Sequence, residues 1–239
     1  MPSETQSRPV ALIGGVGPGL GASLCRRLCE EGYAVVGLAR SAEQGAALAD
    51  GLDDAAFRFI PCDITDEAAV DGAVGEIVAT WGPPTVLVHN AGQVQIKPFA
   101  EVTPTAFEAM WRVTVLGAML TARAVLPGMV DQGSGTVILT GATASIRGGA
   151  RFAALASAKF ALRGLAQSLA REYGPQGIHV VHAVLDGIMW GGISRDLVKT
   201  PREQCIEPND VAEAYLQLIR QPRSAWSHEI DLRPSGESF

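Results

Sequence analysis

Two hydrophobic patterns alternate along the chain. Short runs are apolar at nearly every position: PVALIGG (9–15), AVVGLA (34–39), TVLVHNAG (85–92), TVILTGA (136–142) and IHVVHAVLDG (178–187). FRFIPCD (57–63) and HEIDLRP (228–234) are two further strand-like runs. Between them lie longer stretches with helical periodicity, such as LGASLCRRLCEEG, which closes on Gly32. Others are 41–51, DEAAVDGAVGEIVATWG, a long stretch from about Thr105 to Met129, and FAALASAKFALRGLAQSLAREYG. Strands apolar throughout and separated by helices predict a parallel sheet buried on both faces. No repeat or linker divides the chain. The expectation is therefore one doubly wound α/β Rossmann-type domain over 1–239, with seven strands and helices on both faces. Residues 1–8 are read as a flexible lead-in and 188–207 as a lid over a substrate.

Composition narrows the function. At 47% hydrophobic and 18% charged, 239 residues are enough for a sizeable core. The formal charge of −6 comes without basic tracts, which argues against nucleic acid or a membrane as partner. The polar start is no signal peptide, and Gly and Pro interrupt the apolar runs, so a cytoplasmic protein is expected. The four Cys and four His fall at no metal spacing; the Cys read as ordinary buried thiols and no metal is expected.

After the first strand comes GGVGPGLG (14–21), opening directly into a helix. Glycines there permit a tight turn and close approach of backbone to a pyrophosphate, and the helix N-terminus offers a positive dipole end. Gly15, Gly17, Gly19, Leu20 and Gly21 are the candidate cofactor cradle. An NAD site commonly carries an acid at the end of the second strand, about 20 residues on, to hold the ribose hydroxyls. Here Ala39 is followed by Arg40, a cation suited to a 2′-phosphate, which favours NADP(H) over NAD(H).

With these residues in hand, the chain resembles the short-chain dehydrogenase/reductase family along nearly its whole length. Gly15, Gly19 and Gly21 match its TGxxxGxG loop, with Gly14 in place of the Thr. HNAG (89–92) matches its NNAG turn, so Asn90, Ala91 and Gly92 are expected at the cofactor; so are Asp63, matching the acid that meets the adenine amino group, and Ile64. Lys159 matches the lysine of YxxxK. The resemblance implies a hydride transfer in which a Tyr gives a proton, a Ser holds the carbonyl, an Asn anchors a relay water, and the Lys lowers the Tyr pKa and holds the nicotinamide ribose. It also implies a homodimer or homotetramer built through the long helices.

The other catalytic positions depart from that pattern. The Tyr position is Leu155, the Ser position Ala142 and the Asn position Thr114; the more distant Tyr of an enoyl-reductase variant falls on Phe152. Tyr33, Tyr173 and Tyr215 all lie elsewhere. Three routes stay open. In the first, another group acts as acid, with Asp186 in VLDGIM the foremost candidate beside Lys159, although an Asp before Gly187 also reads as a turn former. Thr140, Thr143 and Ser145 could then orient a carbonyl or water, and His89 adjoins the cofactor turn. Alternatively the substrate is an iminium ion or activated alkene that needs no enzymatic acid. In the third, the protein has left redox chemistry and binds a dinucleotide without turnover, or uses its pocket for isomerisation or cyclisation. Ala142, Leu155, Met189 and Trp190 predict an apolar substrate pocket, with Gly191 and Gly192 giving hinge freedom. Arg147 and Arg151 flank the same strand, as solvated surface or as contacts for an acidic substrate. The expected function is an atypical NADP(H)-dependent oxidoreductase acting on a small apolar carbonyl, imine or enone, with the non-redox protein as alternative.

Overall fold

The structure is a computed structural model describing residues 8–49, 52–53, 55–191 and 200–236. All seven predicted strands form: β1 (Val10–Gly14), β2 (Ala34–Ala39), β3 (Phe57–Pro61), β4 (Val86–His89), β5 (Gly135–Thr140), β6 (Ile178–Leu185) and β7 (Glu229–Leu232). They make one parallel sheet in the order β3-β2-β1-β4-β5-β6-β7. The order reverses between β1 and β4, and such a switch point opens a crevice at the carboxyl ends of the strands.

The strand runs are apolar at successive positions because each face of the sheet has its own core. Leu12, Val36, Leu87 and Val137 point to one side. Ile13, Val35, Val88 and Ile138 point to the other. On the first side pack α3 (Glu67–Trp81), α5 (Gly117–Asp131) and α6 (Ala153–Tyr173). The second is covered by α1 (Leu20–Glu30), α2 (Ala42–Ala49) and α7 (Pro208–Ile219). Local chemistry fixes the helix ends. The Asp66 carboxylate accepts from Ala69 N at the start of α3, and Gly82 closes it at φ +92°. Thr103 caps α4 (Pro104–Trp111), with Pro104 at its first position where no N–H is missed.

The stretch read as one long helix is continuous from Pro104 to Asp131, but in three parts. A π-helical turn, Arg112–Leu116, joins α4 to α5 and carries Thr114. By length and hydropathy this run is apolar enough to cross a membrane, contrary to the expectation that the apolar runs are too short; 56% of its most apolar window is buried within the fold, as in a core helix. Sequence reading passed over α7. Its signal was present in Pro208 at the first position and in Val211, Ala212, Tyr215 and Leu216 at helical spacing, all now buried. Residues 1–7 of the lead-in, and Gly192 with the lid segment to residue 199, lie outside the described residues.

Candidate active site

At the crevice the glycine loop is locked by backbone. Gly15 sits at φ +92°, and the N–H groups of Gly15 and Val16 both donate to the Leu38 carbonyl, at 2.9 and 3.1 Å. The Asn90 N–H donates to the Gly14 carbonyl at 2.7 Å and its side-chain amide to the Gly15 carbonyl at 2.9 Å. A Cβ on Gly15 would stand 2.3 Å from Ala91 N, and one on Gly21 would stand 2.8 Å from the Gly15 carbonyl oxygen. Gly17 differs, since a Cβ there would meet nothing within 4 Å. Folding does not demand its small size; what it leaves is room in the crevice, beside the start of α1.

That crevice is a cleft of about 1350 Å³. Gly15, Gly17, Gly19, Leu20, Gly21, Arg40, Asp63, Ile64, Asn90, Ala91, Gly92 and Lys159 all line it. Arg40 stands exposed at the end of β2. Asp63 Oδ1 accepts from the Thr65 N–H at 2.9 Å and hydroxyl at 2.8 Å. Those bonds, with the charges of Arg40 and Arg112, hold its carboxyl below the usual range. A glycine cradle against a helix start, with Arg40 after β2 and Asp63 after β3 on the same cleft, fits a dinucleotide.

The far end holds Lys159, one helical turn beyond Leu155 on the same face of α6. Only 6% exposed, its ammonium donates to the Thr140 carbonyl at 2.6 Å, and burial pulls its pKa from 10.5 to about 8. Leu155 is buried with Met110, Ala144 and Ala154, and with Ala142 it gives the cleft an apolar wall. His89 is buried; burial first, then the charge of Lys159, outweighs the raising effect of the Val113 and Thr114 backbone and lowers its pKa to about 3, so it is neutral. The Thr114 hydroxyl, also fully buried, has no hydrogen-bond partner.

The hydroxyls around Ala142 are engaged within the fold. Thr143 donates to Asp186 Oδ1 at 2.5 Å. The Ser145 hydroxyl accepts the Ala142 N–H at 3.1 Å. Asp186 is 1% exposed and not among the cleft-lining residues. Arg147 approaches its Oδ1 at 3.4 Å and Arg233 its Oδ2 at 3.0 Å. This carboxylate ties the cleft's edge to the chain's last strand rather than facing a substrate, as the acid role would require. Met189 lines the cleft, whereas Trp190 does not; the Arg202 guanidinium lies 5.3 Å from its ring. Gly191 adopts φ +71°, the left-handed region that favours glycine.

One cluster was not anticipated. His182 Nε2 lies 3.2 Å from Ser145 Oγ and its Nδ1 2.9 Å from Glu229, which Arg163 grips with two bonds of 2.7 Å. Ser145 and His182 are wholly buried and do not line the cleft, so this chain of bonds braces the Ala142 turn and is closed to substrate. Its sequence signal is weak: His182 and Glu229 meet because β6 and β7 pair in that register.

Known proteins resemble this chain in sequence and fold. The family model described as short chain dehydrogenase matches residues 9–201. A 3-alpha-(or 20-beta)-hydroxysteroid dehydrogenase of Mycobacterium tuberculosis is 34% identical over 213 residues, 89% of this chain and 77% of that protein. Among solved structures, a short-chain dehydrogenase from Rhodopseudomonas palustris is similar with a TM-score of 0.82 at 33% identity, covering 95% of this chain and 98% of that one. A metagenomic short-chain oxidoreductase in complex with NADP gives 0.80 at 26% identity, covering 95% and 97%.

Proposed function

Since the chain belongs to the short chain dehydrogenase family, we propose that it is an NADP(H)-dependent oxidoreductase acting on a small, apolar-bodied carbonyl or enone, with Lys159 taking over the proton transfer. The observation that carries this reading is the buried Lys159 ammonium at one end of the cleft whose other end is the glycine cradle. Bound NADPH supplies a hydride to carbon. The electron pair then left on the substrate oxygen requires a proton, and Lys159 Nζ is the proton-bearing group at that end of the cleft. With a pKa pulled to about 8 it is charged at neutral pH and gives up a proton more readily than an ordinary lysine. After transfer it is a neutral amine that regains its proton from water. An iminium substrate suits this site less, because it would bring a second cation beside the ammonium with no carboxylate among the described residues lining that end.

Arg40 is assigned the 2′-phosphate of NADP(H). Exposed Phe107 and Trp111 on α4 and Phe160 on α6 form the apolar surface through which two copies would pair, in the cytoplasm. Calorimetric titration with NADPH and NADH tests the cofactor assignment. NADPH should bind at least tenfold tighter than NADH, and Arg40→Ala should remove the difference; binding of neither cofactor at millimolar concentration would overturn the oxidoreductase reading. One observation favours the second reading, a dinucleotide-binding protein without turnover: Ser145 and Asp186 occupy the groups nearest the missing serine. Tight NADPH binding with no oxidation in the presence of ketones, enones or oxo acids would select it.

A further inference from the structure

We infer that the substrate is a carboxylate with an apolar body, and that Arg147 recognises it. The inference rests on the reading above only for which end of the cleft is the substrate's. Asp63 is the one acid among the described residues lining the cleft, and it lies with Arg40 at the cradle end. The charges lining the opposite end are Lys159 and Arg147, both positive. Arg147 has 49% of its side chain exposed. Its one ion pair among the described residues, to Asp186 Oδ1, is long at 3.4 Å, and that oxygen already takes the Thr143 hydroxyl at 2.5 Å. The other oxygen is engaged by Arg233 at 3.0 Å. Asp231 also pairs with Arg233. Arg147 therefore shares Asp186 with Arg233, holds it only at long range, and keeps half of its side chain exposed where it lines the cleft.

The uncharged surroundings sharpen the choice. Ala142, Ala144, Phe152 and Leu155 present methyl, methylene and ring surface. With the Thr143 hydroxyl and the Ala142 N–H engaged elsewhere, a neutral ketone finds no neutral donor from this turn. A carboxylate matches the planar guanidinium fork, and its apolar remainder matches the wall. The recognised class is therefore an oxo or unsaturated acid of modest size.

Calorimetry with paired probes decides this: phenylpyruvate against phenylacetone, and cinnamate against benzalacetone, each titrated with and without saturating NADP+. The acid of at least one pair should bind at least tenfold tighter than its neutral partner, about 1.4 kcal/mol. Arg147→Met should lose that margin for acids and leave the ketones and NADPH binding unchanged, while Arg147→Lys keeps part of it. Acids that bind no better than ketones in both pairs, or an Arg147→Met protein that binds acids like the wild type, overturn the inference. Acid binding that depends on Arg147 in a protein that fails to bind NADPH would keep this site and sink the oxidoreductase reading; the reverse pattern would do the opposite.

Discussion

Lys159 holds an ammonium in a place that penalises it, and the size of the penalty can be measured by removing the charge. The fall of its pKa from 10.5 to about 8, caused by burial, corresponds to about 3 kcal/mol of destabilisation of the folded state. The sign follows from the two pKa values. Below about pH 8 the folded and unfolded chains both carry the proton, and the whole cost is present. Between about 8 and 10.5 the unfolded chain keeps the proton and the folded one does not, so stability rises with pH; by about pH 9.5 the gain is about 2 kcal/mol. Lys159→Met should therefore be more stable than the wild type at about pH 7. The gain should be about 2 kcal/mol, being the relieved penalty less about 1 kcal/mol for the lost bond to the Thr140 carbonyl. Urea unfolding of both proteins at about pH 7 and about pH 9.5 reads the effect, and taking their difference cancels every group they share. The variant's advantage should have nearly vanished at the higher pH. A variant less stable than the wild type at about pH 7, or one with an unaltered difference across that interval, would refute the reasoning.

Three further outcomes follow from the same geometry. Gly17→Val should leave stability within about 0.5 kcal/mol while weakening NADPH binding at least tenfold, whereas Gly15→Ala, forced against Ala91 at a positive φ, should cost about 2 kcal/mol or more; thermal melts and calorimetry on the two variants separate these effects. His89 is neutral when folded, with a pKa near 3 against 6.5, so stability falls as pH drops below 6.5; His89→Asn should remove about 2 kcal/mol of that loss at about pH 5, and an unchanged acid slope would count against it. Leu155→Tyr should return a proton donor to the cleft and raise NADPH-dependent ketone reduction about a hundredfold; no rise would mean that substrate oxygen does not sit at this wall.

The sheet was legible because burial on both faces leaves runs such as VALIG and AVVGLA with no polar face, a pattern that α-helices flanking a solvated surface do not give. The glycine-loop end of the cleft was legible too, since Gly15, Asn90 and Asp63 sit in local turns whose residue types suit the backbone geometry. What the sequence hid depends on distant pairing. Asp186 looked like an available acid until Arg233, 47 positions on, came alongside it. Ser145 looked like a stand-in for the absent serine until β6 brought His182 behind it. Trp190 read as pocket lining, yet its ring meets Arg202. The π turn at Thr114 carries no residue that distinguishes it from ordinary helix.

The interlock of Gly15 with Ala91 also says something about how such a protein can change. Any side chain on Gly15 collides with the main chain of Ala91, so this part of the molecule is held in place by its own assembly and gives drift at Gly15 almost no foothold. Positions 142 and 155 are governed by looser terms: their side chains meet other side chains in a small apolar cluster, where a methyl or an isobutyl group is readily housed. Chemistry can be exchanged at one end of the cleft while the other end stays fixed, and a new reaction can arise on this scaffold without the fold passing through an unstable intermediate sequence.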